Sequence, residues 1–300
     1  MRPPSPATPP ASAATSPASA AASPVRALTA LQPSAPQPAP SAAALRPATP
    51  PSRSAEDSAA ISLEGIAAFA ALSAEDRQRL AGLARIETLA ADEEVAGFGA
   101  ALVLDGAASV CATIVDIPVA PAARGALLTL RGSAVEQVAL RIVAGAEGAR
   151  VAVWDAPAIE AALAASASVS AELSANADRL QALAAATMGP LGDLDDEVRG
   201  GILDRLRARV VRPRETIVAA GAALPAVMLV VTGAVEIGDG DDDARLAQPG
   251  ELLFSREAQR GAPAPAPASA APTGAVLLLG DADVATELAA IPALSRWFSD

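Results

Sequence analysis

No histidine, lysine or tyrosine occurs among the 300 residues of this chain, which has one cysteine and only 2% aromatic residues. Each absence closes off a chemistry. Without imidazole there is no usual general base for a serine or cysteine nucleophile and no common nitrogen-ligated zinc site. Without lysine there is neither a Schiff base nor an ordinary phosphate-binding P-loop. The lone Cys111, within Val110-Cys111-Ala112, cannot staple the chain and reads as a small core residue in a reducing compartment. A net charge of −12 argues against nucleic acid, whose phosphates need a basic surface. No secretory apolar region and no uninterrupted run of 18 apolar residues is found, so no membrane span is expected. The expectation is a cytoplasmic protein that is not an enzyme.

What is present is aliphatic: 52% of the residues are hydrophobic, most of them alanine, with leucine and valine. Residues 1–58 stand apart, with 14 of the 26 prolines and little that could form a core. The charges up to position 54 are Arg2, Arg26, Arg46 and Arg53, so a +4 leader precedes a body of −16. This composition reads as a disordered tail. A transit peptide is the lesser alternative, because its prolines forbid an amphipathic helix. Two apolar islands, 25–31 and 43–46, are candidate docking motifs.

Beyond the tail the sequence repeats itself. Leu72-Ser73-Ala74-Glu75-Asp76 opens a helix with Ser73 as N-cap and Leu80, Leu83 and Ala84 as its buried stripe. At an offset of 122, Leu194-Asp195-Asp196-Glu197 opens another, with Val198, Ile202, Leu203 and Leu206 at helical spacing. Glu93, Val95 and Gly99 are answered by Glu215, Ile217 and Gly221 at that offset. The apolar runs meeting at Gly106 are answered, at 127, by those meeting at Gly233. Such a glycine implies a bend where a side chain would obstruct the next backbone. Further strands are expected at 126–130, 138–143 and 149–154, then at 252–254, 266–271 and 275–279, with turns between them. Helices are expected at 159–164, 169–188, 284–290 and 294–298, the second of these bridging the halves.

A helix, a short-stranded roll bent at a glycine and closing helices, twice over, resemble the cyclic-nucleotide-binding domain in tandem. The resemblance rests on Leu72-Ser73-Ala74-Glu75-Asp76-Arg77-Gln78-Arg79-Leu80, the Gly106 and Gly233 strands, Pro213-Arg214-Glu215-Thr216-Ile217-Val218-Ala219-Ala220-Gly221, and Pro249-Gly250-Glu251. It implies a mainly β protein with flanking helices: two tandem β-rolls of jelly-roll type, at 59–188 and 189–300. The family holds its ligand through a cassette in which a glycine-glutamate pair and an arginine grip the ribose and the cyclic phosphate. Here the pair's positions fall on Thr129 and Leu130, and the arginine's on Val138. In the second copy they fall on Phe254 and Ser255, and near Pro267 or Ala268. If a roll keeps a ligand, the resemblance places it beside Gly125, Arg131 and Arg141, or beside Gly250, Glu251 and Arg256, with Arg260 as a further substitute. Such arginines would pair the buried anion; the plainer reading of each is a solvated surface arginine.

Other constellations have plainer readings. Asp239-Gly240-Asp241-Asp242-Asp243 invites calcium, but its spacing departs from an EF-hand loop and suits a hairpin turn. Trp154 and Trp297 read as core residues. Activators of the family append a DNA-reading helix-turn-helix after the roll, and none is expected here. The expected function is therefore a regulatory or scaffold protein with no cofactor and another protein as partner. The alternative is a receptor that binds a cyclic nucleotide through non-standard arginines.

Overall fold

Ser73 begins the first ordered helix as its sequence implies: its hydroxyl accepts the Asp76 N–H at 3.1 Å, capping α1 (Ala74–Leu83) above an acidic first turn. The computed structural model describes residues 61–298 apart from Val115, 132–136, Ala165, Ala226 and 239–243. The proline-rich leader, its two apolar islands and the aspartate cluster lie outside the described residues.

Six strands follow α1: β1 (Arg85–Leu89), β2 (Glu94–Ala96), β3 (Ala100–Ala112), β4 (Ile117–Ala123), β5 (Leu127–Thr129) and β6 (Leu140–Trp154). They form one antiparallel sheet in the order β1-β6-β3-β4, with β2 on β6 and β5 on β3. Two helices close it, α2 (Ala156–Leu163) and α3 (Ala167–Met188). The second half runs α4 (Asp196–Leu203), β7 (Arg207–Val211), β8 (Thr216–Val218), β9 (Val227–Ile237), β10 (Arg245–Ala247), α5 (Ser255–Gln259) and β11 (Ala268–Gly280). Helices α6 (Ala282–Ala290) and α7 (Ser295–Phe298) end it. Its sheet has the order β10-β9-β11-β7, with β8 on β11, again antiparallel. Two β-rolls with flanking helices are thus present in tandem.

The duplication extends to single hydrogen bonds. Glu93 accepts its turn's Ala90 N–H at 2.7 Å, and Glu215 accepts the Arg212 N–H at 3.0 Å. The Gly125 N–H donates to Val103 O, and the Gly250 N–H to Val230 O, both at 2.8 Å. Gly106 and Gly233 have φ of +76° and +72°, and a Cβ on either would fall on a carbonyl oxygen, of Gly148 and Gly274 respectively. Those two partners have positive φ themselves and back onto Leu89 O and Val211 O, where a Cβ would sit 2.6 and 2.9 Å away. Each roll is therefore bent at a pair of facing glycines.

These pairs correct the expected strand breaks. Residues 140–143 and 149–154 of the expected runs belong to one continuous strand, β6, and residues 268–271 and 275–279 to β11. Glycines 148 and 274 bulge a strand and keep it paired, where a turn would have ended it. In place of a strand at 252–254, a single bridge joins Leu252 to Leu229. Phe254, at φ +49°, then turns the chain into α5.

Four aliphatic clusters make the core, two in each half. Helix α3 serves both halves: Leu180 and Ala184 pack in the first roll, while Ala182, Ala185 and Ala186 pack beneath the second. Leu83 and Val198, expected in buried stripes, are largely exposed. Leu83 ends α1, where Ala84 already turns to extended backbone, and beside Val198 it is the arginine at 199 that is buried. Trp154 is fully buried and donates its Nε1–H to Leu80 O at 2.8 Å. Trp297 is 40% exposed, under Arg296, and Phe298 fills the core in its place. Among the described residues no helix is long and apolar enough to cross a membrane.

Candidate functional site

In the first roll, α3 bonds two of the positions that the resemblance gives to the family's cassette. Thr129, at the end of β5, is buried and donates its hydroxyl to Leu173 O at 2.9 Å. The Leu130 N–H donates to Gly99 O at 2.9 Å. Val138 is buried, and both its backbone polar atoms go to one side chain. Its N–H donates to Gln181 Oε1 at 3.0 Å, and Gln181 Nε2–H donates to its carbonyl at 3.1 Å. Gln181 itself is 2% exposed. It imitates a neighbouring strand, satisfying a donor and an acceptor that would otherwise be buried unpaired. The positions given to the family's glycine, glutamate and arginine are therefore occupied by the chain's own contacts.

The arginines named as substitutes are engaged elsewhere. Arg131 makes a two-pronged bond to Asp178 on α3, at 2.6 and 2.5 Å, and both side chains are about half exposed. Arg141, on β6, lies between Glu94, with 3.1 Å from Nε to Oε2, and Asp116. Its side chain is only 16% exposed, so it is a pinned residue and not a solvated one. Burial pushes the neighbouring Cys111 thiol above its ordinary value, against the opposing charge of Arg141, which leaves the sulfur a poor nucleophile. Gly125, at φ +86°, makes the turn before β5 and has open space about it.

In the second roll, Gly250 has a φ of +96°, and a Cβ there would stand 2.7 Å from Ala185 O and 2.9 Å from Gly189 N. The turn it makes thus abuts the end of α3. Glu251 folds back on that turn: its carboxylate accepts the Gln248 N–H at 2.8 Å and an ion pair from Arg245. Arg256, on α5, reaches Arg296 O at 3.4 Å, and Ser255 donates its hydroxyl to Trp297 O at 2.7 Å. Both hold the C-terminal helix.

Arg131, Arg141, Glu251 and Arg256 are each engaged by other groups of the chain. Both roll interiors are aliphatic, and among the described residues the buried polar side chains are Thr129, Gln181, Thr187 and Arg199. A buried phosphate without a paired cation would be strongly disfavoured there. A cavity of about 450 Å³ lies outside the first roll, between the end of β5 and helices α2 and α3, with Thr129, Arg131, Glu160, Ser170 and Ser174 on its walls. Sequence reasoning missed Gln181. A glutamine just before the buried alanines of α3 was the available signal.

No family model matches the chain, and no curated protein matches it. Among solved structures it is similar to "cAMP bound PfPKA-R (141-441)", at 10% identity and a TM-score of 0.36, over 75% of this chain and 80% of that one. It is also similar to the regulatory domain of Toxoplasma gondii PKA with cAMP, at 14% identity and a TM-score of 0.34, over 77% and 90%. A cAMP-binding acyltransferase from Mycobacterium smegmatis matches at 17% identity and a TM-score of 0.32, over 40% and 38%. At these scores the likeness says nothing about what this chain binds.

Proposed function

We propose that the chain is a non-enzymatic regulatory or scaffold protein of two cyclic-nucleotide-binding-like modules, at about 59–188 and 189–300, that acts by contact with another protein. The observation that carries this reading is the pairing of Gln181 with Val138. The closing helix of the first module bonds the position that the resemblance gives to the phosphate-binding arginine, and among the described residues the one buried arginine, Arg199, is already paired with Asp196. With both rolls filled by aliphatic side chains, the outer surfaces remain available for recognition.

The test is thermal unfolding of the full chain with millimolar cyclic AMP or cyclic GMP. A ligand present at about 100 times its Kd would stabilise the fold by roughly 2.7 kcal/mol, a readily measured shift. No saturable shift is expected with either nucleotide, and one that saturates would overturn the reading. The second reading, a cyclic-nucleotide receptor, is favoured by the cavity of about 450 Å³ beside Arg131. It requires Arg131 to exchange Asp178 for the ligand, so Arg131→Ala should then abolish a shift seen in the parent.

A further inference from the structure

Val210 is 76% exposed, although it lies in a strand. That strand, β7, is at the end of its sheet, paired with β11 on one side only. Edge strands normally carry charges that discourage another strand from adding to them. Here the charges are confined to one face. Side chains alternate along a strand, so Arg207 and Arg209 share the face of the buried Val211, while Ala208 and Val210 share the other. On that other face they border a groove of about 500 Å³ between the sheet and α3, floored by Val231, Val276 and Leu278. Arg209 pairs with Glu215 at 3.1 Å, whereas Arg207 has no ion-pair partner among the described residues. The stretch 205–214 holds five arginines in a protein of net charge −12, making it a local basic exception.

Resting on the reading of this chain as a partner-binding protein, we propose that the β7 edge takes up an extended segment of the partner in which small apolar and acidic residues alternate. A segment that adds to β7 must present every second side chain to the groove beside Val210 and Ala208, and the intervening ones beside Arg207 and Arg209. Directly opposed side chains are the unit of sheet pairing, with opposite charges and β-branched residues favoured. The backbone hydrogen bonds supply affinity and the alternation supplies selectivity. The occupant is thereby defined by chemistry: apolar toward the groove and carboxylate toward the arginines.

The test uses the full chain and fluorescent peptides of about ten residues. One alternates valine with glutamate, one alternates valine with lysine, and one has the valines and glutamates in separate blocks. Fluorescence anisotropy should show saturable binding of the valine-glutamate peptide, with the other two at least about tenfold weaker. Val210→Glu, at an exposed position, should weaken that binding by a similar factor. Arg207→Glu should turn the preference toward the lysine peptide, which a merely disrupted fold would not do. Equal binding of all three peptides, no binding at millimolar concentration, or indifference to Val210→Glu would each overturn the proposal. So would self-association of the parent chain that Val210→Glu abolishes, since the edge would then serve a second copy. Calorimetry with cyclic AMP separates the two readings. Saturable nucleotide binding removes the reading of filled rolls and leaves the peptide result unaffected, whereas loss of peptide selectivity alone removes only the docking edge.

Discussion

Arg77 and Arg199 stand 122 positions apart and perform the same act: each guanidinium donates Nη1–H to the carbonyl five residues upstream, Leu72 O at 2.6 Å and Leu194 O at 3.2 Å. They differ in burial. Arg77 is partly exposed, while Arg199 is 3% exposed and also pairs with Asp196 at 2.5 Å. Removing a buried partner leaves the remaining group unsatisfied, at about 1–3 kcal/mol. Arg199→Ala should therefore destabilise the chain by about that amount, and Arg77→Ala by less. Denaturant unfolding of the two variants checks the order, and an equal or reversed effect would contradict the burial argument.

Replacing Gln181 with leucine keeps the bulk that α3 presents and deletes both bonds to Val138. The Val138 N–H and carbonyl would then be buried without partners, and a loss of about 2–4 kcal/mol is expected from two such groups. Urea unfolding measures it. Hydrogen exchange at the Val138 amide should also quicken, which distinguishes loss of these bonds from a general loosening.

Gly106 and Gly125 both have positive φ, but only Gly106 is crowded by a facing carbonyl. An alanine at position 125 bears only the left-handed backbone cost of about 1–2 kcal/mol. An alanine at 106 adds a collision with Gly148, and at 233 one with Gly274. Gly106→Ala and Gly233→Ala should each lower the melting temperature well beyond Gly125→Ala. Similar shifts at all three positions would mean that the facing backbones yield easily.

Arg131 and Asp178 form a close pair in the open, where solvent and salt discount it to at most about 1 kcal/mol. Arg131→Ala should leave folding intact and change stability by less than that amount. The same is expected of Arg256→Ala, whose contact with Arg296 O is long. A larger loss in either case would mean that the side chain holds more than its visible partner.

Asp204, bonded to Arg179, and Glu215, bonded first to the Arg212 N–H and then to Arg209, are both held below the ordinary carboxylate range. A carboxyl group depressed on folding adds stability above its unfolded value of about 4, and that stability is lost as the pH falls through the lower folded value. Unfolding followed from pH 6 to pH 2 should show the parent losing more stability than Asp204→Asn or Glu215→Gln. Parallel curves would remove these pairs from the acid response.

Much of the architecture was legible because it depends on local rules. Ser73 caps where its spacing from Asp76 says it should, and Gly106 and Gly233 mark bends because no side chain fits there. The repeat offset tied the halves together before any strand was placed. What could not be read lies in pairings distant along the chain. Glycines 148 and 274 looked like turns, since nothing local distinguishes a bulge that stays paired from a loop that does not. Arg131 meets Asp178 from 47 positions away, and Arg141 meets Glu94 from a different strand. Gln181 looks like an ordinary polar position on a helix until Val138 is found beneath it. At the candidate site the sequence indicated which anchors were missing, and the structure shows the bonds made at those positions.

Three consecutive alanines of α3, Ala184, Ala185 and Ala186, have no exposed surface. The first belongs to one core and the next two to the other. A helix squeezed from both sides in this way has no room for growth: a methyl group added at Ala185 must displace the roll it faces, and the strain reaches the other through the same turn. The two halves are consequently bound to a common fate. Neither half can drift, shrink or be discarded without the other registering the change.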